Sequence, residues 1–442
     1  MKNTGIWLVR IAFLLLIAGL LFGHLASESY NQTTAKDGVM GFLSLRPLHV
    51  SCAYLGIISA GIGFISLVLQ TRKSTPFGRR LQYIQLALWV LALTGIFHSY
   101  FTGNFGGREY WEFDPIWAIP LFLSFIVFLI YFLHQVELKD KWPVYQWMWL
   151  TGIIFFIFTF VENYLWVIPY FRAQFITDMT IQWKVNGSLV GAVNQLIYGV
   201  AFYLMEKISG NNKTSFQKLS YAFYFLGLFN LMFNWGHHIY LLPTEKYIHY
   251  IGYGVSMTEW IILLRIFYKW SGQIKENKQH YFFFPYRFLM AADYWVIINL
   301  AMGILMSIPA INLYTHGTHI TVGHAMGTTI GINVMIILAS AFYFFKPSFK
   351  NGKALKFNST LFWIVQGTLF LFLVSLMGMG VHRAIWQAGL STDSFSEMME
   401  GSKTWSLSFI VVGLLLVLSI GYFFVYLLIK TWQKNRCPAS QN

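Results

Sequence analysis

Stretches of about twenty apolar residues recur along nearly the whole chain, separated by short polar segments. A run of this length can cross the hydrocarbon core of a bilayer as an α-helix, since each residue adds about 1.5 Å along the axis. The runs fall at residues 5–24, 48–70, 82–102, 114–135, 146–168, 182–205, 216–242, 249–268, 286–307, 319–345, 359–385 and 404–429. The pattern predicts an all-α polytopic membrane protein with twelve transmembrane helices, forming a single membrane domain over residues 1–442.

The charges of the chain support this interpretation. Only 11% of the 442 residues are charged and 56% are hydrophobic, whereas soluble proteins average about 25% charged residues. The formal net charge of +14 would suggest nucleic-acid binding in a soluble protein, but here the basic residues gather in alternate loops. These residues are Arg72, Lys73, Arg79, Arg80, Lys139, Lys141, Lys207, Lys213, Lys218, Lys269, Lys275, Lys278, Lys346, Lys350, Lys353 and Lys356, with Lys430, Lys434 and Arg436 in the tail. Such loops are typically cytoplasmic, so both termini are expected in the cytoplasm and no nucleic-acid partner is expected.

This predicted topology places most of the histidines near the outer face of the membrane. Of twelve histidines, only His134 and His280 fall clearly at the inner face. A lone histidine at a helix end is most simply an interfacial hydrogen-bonding group, but the adjacent pair in "NWGHHIY" indicates a metal site, because imidazole is a common ligand for iron and copper. Neighbours on a helix point about 100° apart, so such a site needs at least a third ligand from another helix. The outer positions are His49, His237, His238, His316, His319, His324 and His382.

Three of the segments that contain these histidines carry a family resemblance. "RPLHVSCAYLG", "NWGHHIY" and "NLYTHGTHITVGHAMG" resemble the haem–copper oxidase superfamily, in particular the catalytic subunit of cytochrome c-dependent nitric oxide reductases. "GGREYWE", "SMTEW" and "GVHRAIW" are similar to the same subunit. The resemblance extends over essentially the whole chain and includes the number of twelve helices.

The resemblance implies a haem–copper oxidase subunit I-like fold with three redox centres. These are a low-spin haem b, a high-spin haem b and a non-haem metal facing it, with iron expected rather than copper. A structural calcium ion is also implied. Carried over residue by residue, His49 is expected to bind the low-spin haem, His324 the high-spin haem, His237 and His238 the non-haem metal, with Glu259 near that metal and Glu109 near the calcium ion.

The chain departs from the family pattern at several of these positions. Asn186 falls where the third metal histidine is expected, and Val190 and Asn194 fall where carboxylates are expected. An amide oxygen is a weak ligand beside two imidazoles, so the metal would be bound by the pair with Glu259, Asn186 or water, or it would be absent. Met326 replaces the second histidine of the His-x-His pattern on the low-spin haem. A thioether there would raise the haem reduction potential; the alternative is a methionine that only packs.

The resemblance implies nitric oxide reduction, in which two NO, two electrons and two protons give N₂O and water. The chain contains no CxxCH motif for covalent haem, so a separate cytochrome c subunit or another periplasmic donor is expected at the outer face of a bacterial inner membrane. Alternatives on the same fold are dismutation of two NO to N₂ and O₂, and a non-catalytic haem subunit that transfers electrons or senses gas. Oxygen reduction is disfavoured because Tyr240 and Tyr253 are no secure counterparts of the cross-linked tyrosine of the oxidases.

Overall fold

The computed structural model describes residues 3–31, 41–73, 75–137, 141–257, 260–273, 283–347 and 352–434, and within them the chain is almost entirely helical. The first half contains α1 (Thr4–Tyr30), α2 (Phe42–Leu69), α3 (Pro76–Phe101), β1 (Phe105–Arg108), β2 (Trp111–Phe113), α4 (Ala118–Gln135), α5 (Val144–Asn163), α6 (Pro169–Arg172), α7 (Phe175–Ser209), α8 (Lys213–Phe216) and α9 (Lys218–Phe233). The second half contains α10 (Lys246–Ser256), α11 (Trp260–Gln273), α12 (Phe283–Ser307), α13 (Pro309–Thr315), α14 (His319–Met326), α15 (Met335–Phe345), α16 (Gly352–Gln387), α17 (Phe395–Gly401) and α18 (Lys403–Lys434).

Within the described residues, ten helical segments are long and apolar enough to cross a membrane. They correspond to the first six and the last four of the twelve predicted runs, and they confirm an integral membrane protein. The ten are Thr4–Tyr30, Phe42–Leu69, Pro76–Phe101, Pro115–Gln135, Val144–Val167, Phe175–Ser209, Phe283–Ser307, His319–Phe345, Gly352–Gln387 and Lys403–Gln433.

Within the described residues, the two remaining runs, 216–242 and 249–268, are not confirmed as single spans. α9 ends at Phe233, and the chain continues as a 3₁₀ turn over Asn234–Ile239. Asparagine and glycine favour such an interruption because both have low helix propensity. Gly236 also lets the turn approach α10 closely, since a Cβ there would lie 2.6 Å from the carbonyl oxygen of Ile248. The second run is divided between α10 and α11, with residues 258 and 259 between them outside the described residues.

The chain forms two compact units. Unit 1 contains the described residues of Met1–Val9, Ile58–Tyr281 and Ser307–Pro309, and unit 2 those of Arg10–Ile57, Phe282–Met306 and Ala310–Asn442. The single membrane domain remains a prediction.

In unit 1, α5 and α7 pack closely because glycines face large side chains. A Cβ on Gly199 would lie 2.5 Å from the indole nitrogen of Trp149 and 3.1 Å from the carbonyl oxygen of Tyr145. Gly152 on α5 faces the carbonyl oxygen of Ala192 in the same way, at 3.0 Å from its missing Cβ. The two contacts set an antiparallel register, with low residue numbers of α5 beside high numbers of α7.

In unit 2, a buried arginine connects the first and last helices. Arg10 is only 2% exposed. Its Nε donates a hydrogen bond to the hydroxyl of Thr431 at 3.0 Å, and Nη2 donates to the Thr431 carbonyl at 2.9 Å. The guanidinium carbon lies 3.7 Å from the centroid of the Trp432 ring. These contacts replace the water that a buried cation loses.

The register of α5 and α7 predicts that Gly199→Ala destabilises the protein. The added methyl group has to displace a fully buried indole, and overpacking of this kind costs about 1–3 kcal/mol. Gly421→Ala is the matched control, since a Cβ at this helical glycine meets no atom within 4 Å. Thermal unfolding in detergent should show a lower midpoint for Gly199→Ala only. An unchanged midpoint would contradict the packing described here.

Candidate functional site

The predicted metal-binding histidines lie in the 3₁₀ turn that interrupts the seventh apolar run. The rings of His237 and His238 are close to each other, with centroids 4.2 Å apart and planes inclined by 33°. Both side chains are half-buried. The turn therefore holds two imidazoles side by side in unit 1.

Helix α7 provides the surface against which His238 packs. A Cβ on Gly187 would lie 3.3 Å from Cδ2 and 3.4 Å from Nε2 of His238. One residue further, the Ser188 hydroxyl donates to the carbonyl oxygen of Leu231 at 3.0 Å, which fixes α9 against α7. The histidine turn thus contacts α7 at Gly187, which directly follows Asn186, the residue expected at the position of the third ligand.

The side chain of Asn186 is bound on both sides by other polar residues. Its Nδ2 donates to a carboxylate oxygen of Glu109 at 3.1 Å, and its Oδ1 accepts from Nε2 of Gln182 at 3.2 Å. Because a carboxylate can only accept, the orientation of the amide is fixed. Glu109, Asn186 and Gln182 form a chain of hydrogen bonds, here called the outer polar chain, which joins two residues that were predicted for separate metal sites.

A tight β-hairpin positions Glu109 for this contact. The hairpin pairs Phe105 with Phe113 and Arg108 with Trp111. Gly107 has a φ of +89°, and a Cβ there would lie 2.0 Å from the Trp111 carbonyl oxygen, so only glycine fits. Burial, together with the neighbouring Glu109 carboxylate, raises the pKa of Tyr110 well above its usual range.

An ion pair joins this hairpin to the start of α7. A guanidinium nitrogen of Arg108 lies 2.5 Å from a carboxylate oxygen of Asp178, and the guanidinium carbon lies 5.0 Å from the centroid of the Trp166 ring. Glu109 is thereby brought to α7 although it is far from Asn186 in sequence.

A metal ion on the histidine pair would need further ligands. Among the residues that the structure describes, no three histidine, cysteine, aspartate or glutamate side chains lie together in a way that could hold a metal ion. Glu259, the carboxylate predicted near the metal, lies outside the described residues. The calcium ion at Glu109 and the metal roles of Asn186 and Glu259 remain predictions.

In unit 2, a hydrogen bond to the backbone fixes the ring of His49, the predicted ligand of the low-spin haem. Its Nδ1 lies 2.7 Å from the carbonyl oxygen of Gly19 on α1. A carbonyl only accepts, so Nδ1 carries the proton and Nε2 keeps its lone pair for a metal. Gly23 leaves room for the ring, since a Cβ there would lie 2.5 Å from Nδ1.

His324 on α14 has the same arrangement. Its Nδ1 donates to the carbonyl oxygen of Asn299 on α12 at 3.1 Å, and a Cβ on Gly303 would lie 2.9 Å from the ring. The Asn299 side chain in turn donates to the Thr328 hydroxyl at 2.6 Å. Both histidines predicted to bind haem therefore present Nε2 as the free donor atom, and these donor sets fit axial haem ligation.

Met326 follows His324 by two residues on the same short helix. Positions i and i+2 of an α-helix point about 200° apart, so the two side chains leave α14 in nearly opposite directions. The two side chains therefore do not share one direction, as ligands predicted for two different haems require. A π-helix over Gly327–Val334 begins directly after Met326, and such segments are frequent at functional sites.

The structure adds residues that the sequence interpretation did not select. Lys184 forms an ion pair with Glu162, and Gln182 belongs to the outer polar chain. A lysine in an apolar helix, two residues before Asn186, was a signal that could have indicated this pair.

Known proteins are similar to this chain over most of its length. The family described as Cytochrome C and Quinol oxidase polypeptide I matches residues 3–436. Cytochrome c oxidase subunit 1 of Rhodobacter capsulatus is 23% identical over 383 residues, which cover 81% of this chain and 70% of that protein. A nitric oxide reductase subunit of Stutzerimonas stutzeri is 22% identical over 307 residues, which cover 65% of this chain and 61% of that protein.

The fold is similar as well. A cryo-EM structure of a heme-copper terminal oxidase dimer matches this chain with a TM-score of 0.74 at 16% identity, covering 100% of this chain and 86% of that one. Family match and fold agree, and the chain belongs to the haem–copper oxidase subunit I family of membrane oxidoreductases.

Proposed function

We propose that this protein is a nitric oxide reductase, which converts two NO, two electrons and two protons to N₂O and water. The similarity to the nitric oxide reductase subunit of Stutzerimonas stutzeri supports this activity, and so does the pair of imidazoles against α7. Oxygen reduction is the competing activity within the family, since cytochrome c oxidase subunit 1 is also similar.

The contacts of Tyr240 are the observation that favours nitric oxide reduction over oxygen reduction as the activity of this protein. Oxidases of this superfamily use a tyrosine cross-linked beside the metal, and Tyr240 and Tyr253 are the nearest candidates in sequence. The hydroxyl of Tyr240 instead donates to the carbonyl oxygen of Ser307 at 2.9 Å, and its ring lies edge-on to His249. Tyr253 is 37% exposed. Neither arrangement supports a tyrosine that acts with the histidine pair.

The residues of this chain would have separate tasks in the reaction. His49 and Met326 would bind a low-spin haem b, His324 a high-spin haem b, and His237 with His238 a non-haem iron. When bound, these groups would pass on the electrons of an external donor and provide the binding site for NO. The backbone carbonyls of Gly19 and Asn299 keep the proton of each haem-binding histidine on Nδ1, and Glu259 would transfer protons near the metal.

Electrons would come from a separate cytochrome c subunit or another periplasmic donor. The basic loops support a bacterial inner-membrane protein with both termini in the cytoplasm, and in that topology the histidine pair would lie near the periplasmic face. A structural calcium ion at Glu109 belongs to the same proposal.

Nitric oxide dismutation is the second candidate, and the outer polar chain favours it. Asn186 is neutral and bound to Glu109 and Gln182, and Val190 cannot transfer protons. A reaction that gives N₂ and O₂ consumes no net protons or electrons and so tolerates these replacements. A haem subunit without catalysis is the third alternative.

Isotope-labelled substrate separates these activities. The purified protein with ¹⁵N-labelled NO should form labelled N₂O only when a reductant is present, measured by mass spectrometry of the gas phase. Labelled N₂ with O₂, formed without a reductant, would contradict the reductase and support the dismutase. Turnover of O₂ but not of NO would identify an oxidase.

The Gly23→Ala variant tests the binding of haem by His49. Its new methyl group would occupy the place of the imidazole, so we expect loss of the low-spin haem, measured by absorption spectra and by haem content per chain. The high-spin haem should remain. Gly421→Ala is the control, because its Cβ meets open space. Full low-spin haem content in Gly23→Ala would show that His49 is not a ligand.

The Met326→His variant tests the second ligand of the same haem. A bis-histidine haem has a lower reduction potential than a histidine–methionine haem. Redox titration should therefore show a lower low-spin potential in the variant, while the high-spin potential stays nearly constant. If spectrum and potential both remain unchanged, Met326 only packs.

A further inference from the structure

Asn299 on α12 contacts the helix that carries His324 twice, once with its backbone and once with its side chain. Its carbonyl oxygen accepts the hydrogen bond from Nδ1 of His324 at 3.1 Å, and its amide nitrogen donates to the hydroxyl of Thr328 at 2.6 Å. Residues four apart on a helix leave it on the same face. His324 and Thr328 therefore both point towards α12, about one turn apart, and the single residue Asn299 binds both.

Glycines of the π-helix allow α12 to come this close. A Cβ on Gly327 would lie 2.3 Å from the amide oxygen of Asn299, and a Cβ on Gly331 would lie 2.8 Å from the ring of Trp295, one turn earlier on α12. Asn299 and Trp295 are both 5% exposed. The indole nitrogen of Trp295 donates to Gln366 on α16 at 2.7 Å, which holds the ring in place. These contacts form a row along the helix interface and fix the register of the two helices.

The side chain of Asn299 restricts the movement of its own carbonyl group. A backbone carbonyl alone would follow every displacement of α12 relative to the imidazole that it binds. Because the Asn299 side chain is bonded to Thr328, on the helix of His324, the carbonyl moves together with that helix. Gly19, whose carbonyl binds His49, has no side chain and cannot form a second contact of this kind.

We propose that Asn299 is a positioning residue, which sets the strength of the His324 hydrogen bond through the bond of its side chain to Thr328. A stronger hydrogen bond at Nδ1 makes Nε2 a more basic ligand, and hydrogen bonds to an axial ligand tune the reduction potential of a haem. The inference rests on the proposed role of His324 as a haem ligand. It does not depend on whether that haem reduces nitric oxide.

The Thr328→Val variant tests the proposal and leaves α12 and His324 unchanged. Valine has nearly the shape of threonine but no hydroxyl, so the Asn299 amide loses its partner and the carbonyl is released. The Nδ1 hydrogen bond should weaken. In resonance Raman spectra of the reduced, haem-loaded protein, we expect the iron–histidine stretching band of the high-spin haem to shift to lower frequency. Redox titration should show a higher potential for the same haem.

Thr329→Val is the matched control, since the hydroxyl of Thr329 donates to the carbonyl oxygen of Ala325 in its own helix at 2.8 Å. The band should keep its wild-type frequency in this control and in Thr328→Ser, which retains a hydroxyl at the same place. A Thr328→Val protein that unfolds at a lower temperature but keeps the wild-type band and potential would overturn the proposal. Asn299 would then only stabilise the helix pair.

Thr328→Ala replaces Thr328→Val if the valine variant does not retain haem, and the same shift is expected. The wild-type spectrum separates this inference from the proposed ligand. A wild-type protein without an iron–histidine band would contradict the assignment of His324, and the role of Asn299 would fall with it. A normal wild-type band that does not shift in the variants contradicts only the role of Asn299.

Discussion

A buried imidazole can bind a metal in a defined orientation only if its other nitrogen has a hydrogen-bond partner, and the site proposed for this protein depends on that constraint. His49 and His324 each donate from Nδ1 to a backbone carbonyl of a neighbouring helix. A carbonyl cannot donate, so the tautomer is fixed and Nε2 is left with its lone pair. The helix that supplies the carbonyl also fixes the plane of the ring, and helix packing therefore determines the direction of the ligand.

Small residues make this packing possible. Gly23 and Gly303 leave the volume that the two rings occupy, and Gly187 does the same for His238 on α7. At Gly23 and Gly303 a methyl group would collide with an imidazole, and at Gly187 it would lie in tight contact with one. The glycines bring the helices close to the predicted ligands, so they belong to the candidate site although they provide no donor atom.

The sequence predicted most of the fold because a bilayer requires long apolar helices, and ten segments were recovered with nearly the predicted limits. The interruption of the run 216–242 also has a physical cause. Hydropathy shows that a segment is apolar but does not show that Gly236 and Gly252 touch, and this contact accompanies the 3₁₀ turn with His237 and His238. The hydrogen bond between Asn186 and Glu109 could likewise not be predicted from the sequence, because it depends on a hairpin that places a loop residue beside α7. The sequence pattern was enough to select the histidines as candidate ligands. The surroundings of Asn186 depend on tertiary contacts, which the pattern does not contain.

The central claim is that His237 and His238 bind a non-haem metal in a haem-containing protein. The most direct test is the metal content of the purified chain, measured together with haem for the wild type, for His238→Ala and for His249→Ala as a control from the neighbouring α10. Our account predicts one non-haem metal ion per chain in the wild type and in His249→Ala, and its loss from His238→Ala with the haems retained. A wild-type protein with haem but without a non-haem metal, or a His238→Ala variant that keeps the metal, would contradict it.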